Sequence, residues 1–235
     1  MLPLISLSKF LLEIGTEELP ADFACSAPGQ LVEIVRKDLL ANRFSHGEIY
    51  CTSTPRRVVL LINDLISVAS DLEEFRKGPP AEHAFRDGVP TKSAQGFARN
   101  LGVSEDCLEV RETAKGPFVY AKVIKQGLHV EKFLAEKIPQ WVSNFQGRRF
   151  MRWGNGDKRF SRPVRWLIAM FDELVIPICI EDADPKVFSG NISRGHRLYK
   201  DQIEIPSADA YVETLANVGV LVDRDERKAF IIEVW

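Results

Sequence analysis

Residues 10–21 read FLLEIGTEELPA, and two kinds of structure meet inside them. Phe10 to Ile14 has the length and the apolar content of a buried strand, and Gly15 followed by Thr16 to Pro20 carries the turn chemistry that ends it. A helical period comes next. From Gln30 to Phe44 the residues Leu31, Val32, Val35, Leu39, Leu40 and Phe44 recur at three-to-four spacing, with Ser26 and Pro28 fitting the start and Gly47 the stop. Val58 to Ile62, VVLLI, follows Pro55 closely and suits a central strand.

The same alternation runs outward along the chain. Between Arg76 and Thr91 the composition shifts to RKGPPAEHAFRDGVPT, three prolines and two glycines, so the chain turns repeatedly there and a subdomain boundary near residues 76–90 is expected. Ala94, Phe97, Ala98 and Leu101 mark a short helix closed by Gly102, and Phe118 to Ile124 reads as a strand. Val130 to Phe145 carries a helical stripe that Pro139 should kink or split. Arg148–Trp153 and Lys158–Trp166 flank Gly154-Asn155-Gly156-Asp157, the chemistry of a hairpin turn. Leu167–Phe171 and Leu174–Ile180 extend the strand-rich part around Asp172-Glu173, a candidate for a second turn.

Near the end of the sequence, Ser207 fits a cap for a helix bearing Val212, Leu215 and Ala216, and Asp223 with Glu226 imitates a capping box for another. Phe230, Ile231 and Val234 are still at helical spacing at Trp235, so a longer parent chain is expected. The pattern as a whole predicts an α+β fold, a mixed or antiparallel sheet with packed helices. An α+β region over 9–206 is expected in two subdomains, with 207–235 as the start of a helical region.

Composition narrows the function. With 235 residues, 45% of them hydrophobic, the chain can bury a sizeable core, and a formal charge of -2 excludes a globally basic nucleic-acid coat. Any contact with nucleic acid must come from a local patch. MLPLISLSKF has no basic residues ahead of its apolar run, and no stretch approaches the roughly 18 apolar residues of a membrane span, so a soluble protein without a signal peptide is expected. Cys25, Cys51, Cys107 and Cys179 lie far apart and read as free thiols of a reducing cytoplasm.

Catalytic signatures are missing: there is no phosphate-binding GxxxxGK[ST], no GxGxxG after a strand, no HExxH and no Ser or Cys nucleophile motif. Glu13, Glu17 and Glu18 read as solvated carboxylates or as partners of helix-terminal N–H groups rather than as acid–base catalysts. His46, His83, His129 and His196 read as surface or turn residues. No catalytic residue and no metal ligand is therefore assigned.

One segment stands apart. Arg148, Arg149, Arg152, Lys158, Arg159, Arg162 and Arg165 face a single acid, Asp157, within eighteen residues, with Phe150, Trp153, Phe160 and Trp166 interleaved. Guanidinium groups bind phosphates through paired hydrogen bonds, and aromatic rings stack on bases. Nucleic-acid contact, an interface with another protein and a solvated face all fit this spacing. On a hairpin, Arg148, Phe150 and Arg152 share one face and Arg149, Met151 and Trp153 the other.

Leu11 to Ala21, LLEIGTEELPA, resembles the N-terminal signature of the β subunit of bacterial two-subunit glycyl-tRNA synthetases. Further matching strings follow in the family's order: Pro55-Arg56-Arg57, Lys77-Gly78-Pro79, Gly96-Phe97-Ala98-Arg99, Lys115-Gly116, Met151-Arg152-Trp153-Gly154, Phe160 with Arg162-Pro163, and Gly195-His196-Arg197. Glu226 to Ala229 is similar to the family's next helical segment. The resemblance implies a glycine–tRNA ligase of two α and two β chains that uses ATP and magnesium in the cytoplasm, with the aminoacylation site on the α subunit and no cofactor held by this chain. It implies tRNA(Gly) and the α subunit as partners, with no membrane and no DNA, and an N-terminal fragment that is inactive alone. The seven cations of 148–165 are the candidate tRNA-binding residues. The alternative is a protein-interaction scaffold for the α subunit that does not touch RNA.

Overall fold

A computed structural model describes residues 7–86, 88–114, 116–196, 198 and 201–234. It divides into two compact units, one of residues 1–69 with 128–235 and one of residues 70–127. The turn-rich segment 76–90 thus falls inside the second unit, whose ends are Ser70 and Gly127. Its turns close helices onto a sheet within that unit.

The first unit opens with β1 (Leu7–Thr16), α1 (Ala21–Ala41), β2 (Ile49–Thr54) and β3 (Arg57–Ile66). Helix α1 begins directly after Pro20, ahead of the start that Ser26 and Pro28 suggested, and Pro28 lies inside it. Proline has no N–H to give the carbonyl four residues back, so the Ala24 carbonyl is left over. The Ser53 hydroxyl on β2 donates to that carbonyl at 2.6 Å, which lets the helix run through the proline.

The second unit contains β4 (Leu72–Pro80), α2 (Ala81–Ala84), β5 (Phe85–Arg86), β6 (Val89–Pro90), α3 (Lys92–Leu101), β7 (Leu108–Thr113) and β8 (Gly116–Lys125). Its main sheet has the order β4–β8–β7, all antiparallel. Ala84, Ala94 and Val119 form its small core, with Phe85, Phe97 and Leu108 packed around them. Gly78 allows the closest approach: a Cβ there would stand 2.6 Å from the Phe97 ring. One contact thereby joins the KGP and GFAR strings.

The first unit resumes with α4 (Val130–Asn144), β9 (Met151–Arg152), β10 (Arg159–Phe160), β11 (Val164–Phe171), β12 (Leu174–Val175), β13 (Cys179–Ile180) and β14 (Val187–Gly190). It ends with β15 (Ile192–Ser193), β16 (Ile203–Glu204), α5 (Tyr211–Ala216) and α6 (Arg224–Val234). Pro139 does not split α4, which is a single helix. The expected hairpin is reduced to β9 and β10, with Arg159 opposite Arg152 and Phe160 opposite Met151; Arg148 to Phe150 lie outside it.

Among the described residues, one seven-stranded mixed sheet has the path β13–β14–β11–β1–β3–β2, with β12 also on β11. Only the β11–β14 pair is parallel. Side chains alternate across it, and both faces are covered. Phe10, Leu12, Ile14, Val58, Leu60 and Ile62 meet α1 and α4 on one side, while Leu11, Val59, Leu61, Trp166, Ile168 and Met170 meet Tyr211, Leu215 and Val222 on the other. This double burial is why FLLEI and VVLLI are apolar runs rather than alternating ones, each large side chain contributing roughly 1.5–3 kcal/mol.

Candidate nucleic-acid interface

Of the three carboxylates expected to be solvated or to meet helix-terminal N–H groups, Glu13 and Glu17 instead have arginine partners. Glu13 is fully buried and sits 3.2 Å from the guanidinium of Arg57, itself 2% exposed. Trp166 Nε1 donates to Glu13 at 2.6 Å, the Ser193 hydroxyl lies 2.8 Å from both carboxylate oxygens, and Arg57 Nη1 donates to Ser193 at 3.1 Å. The register explains the meeting: Gly15 on β1 stands between Arg57 on β3 and Trp166 on β11. A Cβ at Gly15 would fall inside the indole ring, so glycine is what lets Trp166 lie across β1 and reach Glu13.

Trp166 also gathers positive charge, with the guanidinium carbons of Arg57, Arg56 and Arg194 at 5.6, 5.8 and 6.0 Å from its ring. Tyr211 is fully buried beneath this cluster, and burial first and Glu13 second hold its hydroxyl well above the ordinary range. Above the cluster opens a cleft of about 990 Å3 lined by Glu17, Glu18, Pro55, Arg56, Arg57, Arg162, Gly195, His196 and Arg227, among others. Four of the strings that carry the resemblance contribute to this one wall. Arg197, the last residue of its string, and Lys115 of another lie outside the described residues.

The seven cations of 148–165 separate into groups. Arg148, Arg149, Arg152, Arg159 and Arg165 are exposed and Arg162 is half-buried. Arg152 pairs with Asp157 at 3.0 Å and Arg165 with Glu17 at 2.6 Å, and Arg162 donates to the Ser161 carbonyl. Arg148, Arg149 and Arg159 have no ion pair among the described residues, which leaves their charge available. Lys158 is a correction to the expected surface: it is 7% exposed, and its ammonium donates to the Ser143 hydroxyl and, at 3.4 Å, to the Pro139 carbonyl. Burial lowers its pKa below the ordinary 10.5, against the pull of Asp182.

Arg148 and Arg149 line a second cleft, of about 670 Å3, with Phe150 and the first turn of α1 from Ala21 to Phe23. Pro20 precedes that turn without a side-chain cap, so the positive end of α1 adds to the two arginines. Of the interleaved aromatics, Phe160 is fully buried against Phe23, Phe145 and Phe150, and Trp153 and Trp166 are buried as well. They hold the basic segment onto the core. Sequence reasoning passed over Arg56 and Arg57 as charges, although Pro55-Arg56-Arg57 offered the signal. Among the described residues no group of three or more His, Cys, Asp or Glu could hold a metal ion.

The family model for the glycyl-tRNA synthetase beta subunit matches residues 10–235. Proteins named glycine–tRNA ligase beta subunit are similar over nearly the whole chain. The one from Trichodesmium erythraeum (strain IMS101) is 42% identical over 223 residues, 94% of this chain and 31% of the relative. The one from Synechocystis sp. (strain ATCC 27184 / PCC 6803 / Kazusa) is 41% identical over 226 residues, 96% of this chain and 31% of the relative. That from Geobacter sulfurreducens (strain ATCC 51573 / DSM 12127 / PCA) is 39% identical over 226 residues, covering 95% and 32%. The chain thus spans about a third of the length of the curated relatives it matches, and across that span it belongs to the glycyl-tRNA synthetase beta subunit family.

Proposed function

We propose that this chain is the tRNA-facing and assembly part of a glycine–tRNA ligase, the cytoplasmic enzyme that joins glycine to tRNA(Gly) with ATP and magnesium. The α subunit of an α2β2 assembly holds the aminoacylation site, and this chain holds neither cofactor. The observation that carries the reading is the set of exposed guanidinium groups of Arg148, Arg149 and Arg159, which have no ion pair among the described residues, beside Arg152 and Arg165. In a chain of net charge -2, such a patch attracts a polyanion locally, and neutralised phosphates release counterions.

Phosphate contacts position RNA without reading bases, so removing these charges weakens all tRNAs alike. The test is tRNA binding by the α and β assembly across a salt series. Replacing Arg148, Arg149 and Arg159 with alanine should flatten the log–log slope by roughly 0.7–0.9 for each true contact. An unchanged slope, with loss of α-subunit binding instead, favours the scaffold reading. That second reading has its own support in α6, where Phe230, Ile231, Ile232 and Val234 are all exposed.

A further inference from the structure

Within the second unit, and among the described residues, the helices cover one face of the main sheet and leave the other open. Val119 and Leu108 look toward α2 and α3, and the register assigns the opposite face to Phe75 and Lys77 of β4, Arg111 of β7, and Phe118, Tyr120 and Lys122 of β8. Across the strands each ring stands opposite a cation: Phe75 with Lys122, Tyr120 with Lys77, and Phe118 with Arg111. The Lys77 ammonium lies 3.5 Å from the Phe118 ring centre, and the Arg111 guanidinium lies 3.6 Å from that of Phe75 and 5.6 Å from that of Tyr120.

A solvent-facing sheet surface is ordinarily polar, because apolar side chains gain nothing there. Three rings on this face are not needed for the core, which is built by Ala84, Ala94 and Val119 on the other side. A cation seated over a ring is attracted by the ring's negative face, which accounts for the pairs but not for their concentration on the open face.

We infer that this open face binds unpaired nucleotides of an RNA strand, the rings and the Arg111 guanidinium stacking with bases and the cations meeting phosphates. Every base has a π face, so stacking of this kind tolerates any sequence. Phe118 and Tyr120 are two residues apart on β8, about 6.6–6.8 Å along the strand, the scale of one step in an extended nucleotide chain. Glu73 and Glu109 pair with Lys122 at 2.7 Å and Arg111 at 2.9 Å, while Lys77 has no carboxylate partner among the described residues. The face therefore carries one net positive charge, and a rigid duplex, whose bases are hidden in the stack, cannot use its rings.

The choice of RNA rests on the function proposed above, but the surface is a different one, and the test separates them. An end-labelled, mixed-sequence eight-nucleotide RNA, free or annealed to its complement, is titrated against the whole chain by fluorescence anisotropy. The single strand should bind more tightly than the duplex. Phe75→Ala and Tyr120→Ala should each weaken it about tenfold while Tyr120→Phe, which keeps the ring on which a base stacks, stays near wild type. Thermal unfolding checks that the variants keep their fold; Phe75, 40% exposed, is the safer of the two. Equal affinity for strand and duplex overturns the inference, as does wild-type binding by both alanine variants. If only the Arg148, Arg149 and Arg159 variant loses the oligonucleotide, this surface falls and the basic segment stands. If only the sheet variants lose it and the tRNA salt slope is unchanged, the reverse holds. If Phe75→Ala instead releases the α subunit and leaves oligonucleotide binding intact, the face is a protein contact and the inference is wrong.

Discussion

Glu13 shows how far one residue's role depends on what the chain folds around it. Its carboxylate is the acceptor for Arg57, Trp166 and Ser193 in a site without solvent, so Glu13→Ala leaves the Arg57 guanidinium buried without its counter-charge. Breaking a buried pair from one side costs about 3–5 kcal/mol. Urea unfolding should show that loss for Glu13→Ala, and a double variant with Arg57→Met should be less destabilised than the sum of the two single changes. Lys158 makes the opposite case. Its pKa is lowered in the folded state, so the folded chain binds fewer protons than the unfolded one between that lowered value and 10.5, and stability rises with pH across this window. Lys158→Met removes the buried charge. Thermal unfolding at neutral pH should find the variant at least as stable as the wild type, with the difference narrowing as the pH climbs toward 10.5.

At the scale of elements, α6 is attached at one end. Asp223 Oδ1 accepts from the N–H groups of Asp225 and Glu226 at 2.8 Å, and its other oxygen accepts from the Tyr50 hydroxyl. The Arg227 guanidinium donates to the Leu221, Val222 and Ser53 carbonyls. No residue of α6 is buried. Asp223→Ala removes both the cap and the tether, and a lost cap alone costs about 1 kcal/mol. Hydrogen exchange in residues 224–234 should accelerate markedly in that variant while β1 and β3 stay protected; unchanged protection of α6 would mean that its exposed side holds it instead. Capping of this helix was legible from Asp223 and Glu226. The start of α1 was not, because the carbonyl that Pro28 leaves over is answered by Ser53, twenty-five residues further on.

For the molecule as a whole, the second unit is an insertion whose two ends leave from neighbouring points. The Ala69 N–H donates to the Leu128 carbonyl at 2.9 Å, and Val68 bridges His129. The buried cores of the first unit contain no residue of 70–127. Replacing 70–127 with a short Gly-Ser linker should therefore leave a chain that unfolds cooperatively with an intact tryptophan emission spectrum; aggregation or loss of the transition would show that the first unit depends on the insertion. The whole chain, lacking the recognisable motifs that hold ATP phosphates and magnesium, should support no glycine-dependent exchange of pyrophosphate into ATP. Exchange above a blank preparation would place an activating site here.

Strand, turn and helix periods are local properties, and they were enough to determine the α+β class, the central strands FLLEI and VVLLI, the turn at Asp172-Glu173 and the basic character of 148–165. The resemblance rested on short strings, and those too are local. Which charges are free is not local. Whether a lysine such as Lys158 reaches solvent depends on α4 packing over it, and whether Glu13 is solvated depends on strands 44 and 153 residues away bringing Arg57 and Trp166 to it. The insertion at 70–127 was equally hidden, since a domain boundary is a pattern of contacts across the chain and not a composition. Periodicity records what each segment buries, and only the tertiary structure decides against which partner it does so.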